Sequence, residues 1–210
     1  MKRLMQTLVT CLVLAVGSAG TPVAAQSVGP VQTEVLRDWV AMKDRMMKIA
    51  DAMPEAKFDY KSTPAQRNYG EQILHVATVN VRVLQLLQPK TPPPAMNAKA
   101  TSKSEILKAL ADAFDWGTTI IKERTSETML QVVQVPDVLR FLGDSTQARL
   151  MYFLIGHTWD IYGQMAVYLR LNGIVPPASV TPSVLRLTVR YTGDFPEDRI
   201  GVIGPDERFR

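Results

Sequence analysis

The chain has 210 residues, 46% apolar and 21% charged, with a formal charge of +4, one Cys and two His. That length suits one globular domain with appendages and can bury a real core, while 7% aromatic content beside ten Met points to packed helices rather than a β-sandwich. A lone Cys excludes a disulfide framework or thiolate zinc site, two His leave little room for a His-rich cluster, and no later segment has the roughly 18 unbroken apolar residues of a membrane span.

Lys2 and Arg3 open the chain, Leu8 to Val16 form an apolar run, and Val23-Ala24-Ala25 precede Gln26. A basic start, a short apolar centre and a small-residue exit read as a secretory signal over residues 1–25. The expectation is an exported protein, periplasmic or extracellular, with no stable membrane insertion after cleavage. Removing that segment takes away two basic residues and the Cys, leaving 22 basic against 20 acidic residues. So even a balance offers no clustered cationic face for nucleic acid.

From Val31 to Met53, Val35, Leu36, Trp39, Met42, Met46 and Ile49 recur at spacings of three and four, which predicts a helix ended by Pro54. Phe58 and Tyr60 in the following connector are expected to pack under the bundle. Thr63-Pro64-Ala65-Gln66 reads as a helix start, with Thr63 as cap and Pro64 at the first position; that helix is expected to run to about Leu87. Pro89 and Pro92 to Pro94 stop it, and the connector to residue 101 is long enough to cross the end of a bundle. Ser102 and Glu105 form a second capping box, opening a helix from 103 to about 124. Residues 125–144 are mixed. A last helix is expected from Ser145 to about Asn172, closed by Asn172-Gly173 and Pro176-Pro177. Beyond Ser179, residues 184–191 alternate as a short strand would, inside an otherwise extended tail. The fold expected is an all-α, antiparallel four-helix bundle with long connections.

His75 lies midway along the second helix and His157 midway along the last. A single His on an apolar helix is usually a hydrogen-bonded core residue, but bundles build sites from facing helices. Two His are one short of the three protein ligands of a catalytic zinc-type site.

Met53-Pro54-Glu55, Phe58-Asp59-Tyr60-Lys61, Pro64, Gly70 to Ala77, and Tyr162-Gly163-Gln164 through Tyr168 to Ser179 resemble an exported branch of the DinB-like (YfiT-type) superfamily. The resemblance covers about residues 31–179, so the domain is placed at 26–179 with a C-terminal extension over 180–210. It implies an up-down-down-up bundle holding a divalent metal (zinc, nickel or manganese) on three His, one on the second helix and a His-x-x-x-His pair on the fourth. Relatives with known activity include metal-dependent thiol transferases, a thiol-using isomerase and hydrolase candidates. Carried over by position, the ligands are His75 and His157, and the third place is Ile161. The resemblance thus arrives with a degenerate triad. Asp160, rotated about 100° from residue 161 on the helix, is a weak substitute, and the metal site is expected to be weak or empty.

Two readings follow. One is a metal-dependent, hydrolase- or transferase-like enzyme acting on a small molecule outside the cytoplasm. The other is a non-catalytic bundle that binds a small molecule or a protein and has lost the metal. A homodimer fits either, with residues 184–191 as a candidate pairing strand. Gly163, which costs about 1 kcal/mol within a helix, is expected to mark a close helix contact. Tyr168 and Arg170 are expected to anchor the bundle end, and Trp39 and Trp159 to fill core or line a pocket.

Overall fold

The computed structural model describes residues 29–180. The signal-like segment and the alternating stretch at 184–191 lie outside them. Four long helices make the body: α1 (Pro30–Ala52), α2 (Tyr69–Gln85), α3 (Lys103–Lys122) and α5 (Gln147–Leu171). A short helix α4 (Ser126–Met129) and a two-residue antiparallel pair, β1 (Val132–Val133) with β2 (Ser145–Thr146), fill the link between α3 and α5. Among the described residues no helix is long and apolar enough to cross a membrane.

Pro30 starts α1 at the position that needs no amide donor. Its expected apolar stripe is buried, with Val35, Trp39, Met42, Met46 and Ile49 inside. α3 follows its expected course, its N-terminal Glu105 amide donating to the Ser102 side chain. α2 departs from expectation. It begins at Tyr69 behind an Asn68–Glu71 capping box, and Thr63 to Gln66 form a turn in which the Gln66 amide donates to the Thr63 carbonyl. The reason is tertiary: the Tyr69 and Gly70 amides donate to the carbonyls of Tyr60 and Phe58, which closes residues 61–68 into a loop. α5 starts two residues later than expected because Ser145 and Thr146 are spent in β2, and Thr146 then caps the helix. Its end is as read, with Gly173 at φ 71°, a left-handed position that favours glycine.

Cross-links between helix ends fix the topology. The Tyr69 hydroxyl donates to the Ile49 carbonyl, so α2 starts where α1 finishes. Lys103 Nζ reaches the Asp51 and Met53 carbonyls at 2.7 and 3.0 Å, so α3 starts at that end too. Gln32 Nε2 donates to the Ile121 carbonyl at 2.9 Å, tying the start of α1 to the end of α3. The Tyr168 hydroxyl donates to the Arg67 carbonyl at 2.6 Å, bringing the end of α5 back to the start of α2. The bundle is therefore up-down-down-up. The close-packed pairs are α1 with α3, α3 with α2, α2 with α5 and α5 with α1. α2 and α3 run parallel, so their connector cannot simply cross one end of the bundle. It travels along α3, from Thr91 at Trp116 and Glu123 to Ala100 near the helix start.

Gly117 of α3 leaves room for the Trp39 ring of α1. A Cβ there would lie 2.3 Å from Trp39 Cζ2, and the buried Trp39 ring is held by its Nε1 donating to the Phe114 carbonyl at 3.0 Å. Gly163, in contrast, has nothing within 4 Å of an added Cβ, so it marks no helix contact. Trp159 is 44% exposed beneath Arg45, with its ring edge-on to Tyr162, and neither fills core nor lines a groove described below. Phe58 and Tyr60 do pack under the bundle, each edge-on to a tyrosine (Tyr69 and Tyr168 respectively). Arg170 donates to the Ser179 hydroxyl and Tyr168 closes the opposite contact, as expected of a bundle anchor.

Candidate functional site: a histidine pair between two helices

α2 and α5 face each other, and each contributes one His to their interface. His75 Nε2 and His157 Nε2 are 3.1 Å apart, 82 residues distant in sequence, with ring centroids at 5.0 Å. One turn above on α5, Phe153 tilts over the His157 ring at 6.1 Å. One turn below, Ile161 is buried at 3% exposure and presents only hydrocarbon.

A second polar pair runs beside the first. Gln72 Nε2 donates to Gln164 Oε1 at 2.8 Å, and Gln164 Nε2 donates to Asp160 Oδ2 at 3.1 Å. Gln72 precedes His75 by three residues and Gln164 follows His157 by seven, so helical spacing places all four on the shared seam. That spacing was readable in the sequence. Asp160 itself is exposed and its carboxylate turns to Gln164.

Both imidazoles are held neutral at pH 7. Burial is the main cause for His75, pushed down to about 4, followed by the charge of Arg67 and by His157. His157 is lowered by burial, with Asp160 opposing and Arg67 reinforcing. A neutral pair sharing one hydrogen bond needs one donor and one acceptor. His157 Nδ1 is buried with no protein partner among the described residues. A proton there would be an orphaned buried N–H, the rarer and costlier kind of unsatisfied group. The proton of His157 therefore sits on Nε2 and is donated to His75 Nε2. His75 must then carry its own proton on Nδ1, away from its partner.

His75 also lines an open groove of about 350 Å³ with Arg67, Glu71, Leu74, Thr78 and Ala98. Arg67 borders a neighbouring groove of about 380 Å³ as well, beside Gln164 and Tyr168. Its guanidinium makes no ion pair within 4.0 Å among the described residues. Glu71 is engaged, its Oε2 accepting from the Asn68 amide at 2.7 Å. Arg67 was not legible as a site residue, because the 61–68 loop, not a helix, delivers it.

The donor set can be compared with a metal centre. Two imidazole nitrogens 3.1 Å apart could reach one ion, since bonds of about 2.0–2.1 Å would meet at about 100°. The place that the resemblance assigns to a third ligand holds Ile161, and among the described residues no group of three His, Cys, Asp or Glu could hold a metal. The residues present do not fit a three-ligand centre.

The sequence profile of the DinB family matches residues 25–198. The crystal structure of a DinB-like protein from Bacillus cereus superposes with a TM-score of 0.60 at 18% identity, covering 69% of this chain and 95% of that one. At that identity the likeness concerns the fold. Among curated proteins, none matches the chain.

Proposed function

Because the chain belongs to the DinB family, we propose that it is an exported small-molecule-binding bundle in which a neutral imidazole pair stands where a divalent metal centre is expected. The observation that carries this reading is Ile161. It is buried one turn from His157 on the same helix, and is hydrocarbon at the position where the resemblance expects a third ligand. The two remaining nitrogens satisfy each other, and the nearest acid on that helix turn, Asp160, is exposed and bonded to Gln164. Half-buried His75, hydrogen-bonded to His157 behind it, lines a groove of about 350 Å³, which supports recognition of a small ligand. Export rests on the signal-like pattern of residues 1–25.

One observation favours the metal-dependent, hydrolase- or transferase-like reading instead: the 3.1 Å separation is one that two imidazoles on a shared ion would also adopt. Elemental analysis of the purified chain, prepared without an added His tag from cells supplied with zinc, nickel and manganese, separates the two. The expected result is far less than one metal per chain, rising towards one in Ile161→His. Near-stoichiometric metal in the unmodified protein would overturn the binding-module reading.

A further inference from the structure

The geometry points to a subsite for a small monocarboxylate in the groove of Arg67, His75 and Thr78, an assignment that rests on the metal-free reading of the His pair. Arg67 is a cation without an ion-pair partner among the described residues, and it lines the same groove as His75. An unpaired guanidinium is a forked donor matched to a carboxylate. His75 lines the same groove. Its Nε2 is occupied by His157, so Nδ1 is the nitrogen it can offer, and the buried, partnerless Nδ1 of His157 requires that atom to carry a proton. The His pair thus acts as a polarity relay, fixing His75 as a hydrogen-bond donor towards the groove. Thr78 adds a hydroxyl to the same wall.

The rest of the lining narrows the ligand. Glu71 shares the groove, so its charge opposes a multiply charged anion such as phosphate. Leu74 and Ala98 supply apolar surface, suited to a small hydrocarbon body behind the carboxylate. Arg67 and His75 are positioned by elements that do not depend on the ligand: the Arg67 carbonyl is held by Tyr168, and His75 sits within α2.

The test is calorimetric titration of the full chain with acetate, butyrate and benzoate. Benzamide serves as the uncharged isostere and inorganic phosphate as the multiply charged control, each run with and without a metal chelator. Saturable binding of butyrate or benzoate is expected, unchanged by chelator, with benzamide and phosphate at least tenfold weaker. Arg67→Gln should weaken binding at least tenfold and Arg67→Lys less, both with unchanged circular dichroism. Imidazole ¹H–¹⁵N spectra should show the His75 Nδ1 resonance moving on addition of benzoate. Equal affinity for benzamide, or indifference to Arg67→Gln, overturns the carboxylate assignment. So does a lack of saturable binding by any of the three carboxylates in metal-free protein, which leaves the proposed function standing. Binding abolished by chelator means that an ion mediates it, and overturns both.

Discussion

Replacing His75 by Gln should flatten the dependence of stability on pH between about 7 and 4. In the unfolded chain His75 titrates near 6.5, whereas in the fold burial, Arg67 and His157 push it down to about 4. Above 6.5 the ring is neutral in both states and contributes no slope. As pH falls through that window the unfolded chain takes up a proton that the folded ring refuses, so unfolding gains and stability is lost. The loss is complete near pH 4, where the folded ring protonates too. At about 1.4 kcal/mol per pH unit the full difference is about 3 kcal/mol; the ring lines an open groove, and solvent screening reduces this to about 1–2 kcal/mol. Urea unfolding at half-unit intervals from pH 7.5 to 4.5 reads the effect directly. The acidic residues are common to both proteins, so the difference between wild type and His75→Gln isolates the imidazole. His157, also lowered, is common to both proteins and steepens both curves in the same direction. Parallel curves for the two proteins would refute the claim that His75 is held neutral by its surroundings.

Gly117→Ala should destabilise by about 1–3 kcal/mol through overpacking, because the new methyl would lie 2.3 Å from a Trp39 ring that its hydrogen bond to Phe114 prevents from swinging aside. Gly163→Ala, with open space around it, should instead gain up to about 1 kcal/mol in helix propensity, and thermal melts of the two variants would expose the contrast. Asn80 is fully buried with neither side-chain polar atom bonded to protein among the described residues; Asn80→Leu should stabilise by about 1–3 kcal/mol, and a loss of stability would show that the amide is needed.

The sequence revealed most where local chemistry and tertiary demand agreed. α1 and α3 fall within two residues of their expected bounds, since proline, serine and glutamate signals mark ends that the core also requires. The expected start of α2 at Thr63 is wrong, because Asn68–Glu71 carries a capping signal too and is the one used. Only the bonds from Tyr69 and Gly70 back to residues 58–60 choose between them. At the site, His75 and His157 could be paired from their places on two helices, and the orientation of Ile161 followed from helical spacing. Arg67 could not be read in this way. Its place beside His75 depends on a loop closed by contacts far away in sequence, and their groove is completed by Ala98 from the connector.

The order of helices around the bundle has a consequence for how the protein is made. Cut the chain in thought within residues 86–102, and α1 with α2 fall on one side, α3 with α5 on the other. Each close-packed long-helix pair then joins a member of one half to a member of the other. Neither half owns a core, and the imidazole pair likewise takes one ring from each. Folding is therefore the mutual insertion of two incomplete halves, with no stable hairpin from which to begin. The same arrangement would let two chains exchange halves through an opened connector, giving a dimer with two complete bundles and no interface that the single chain lacks.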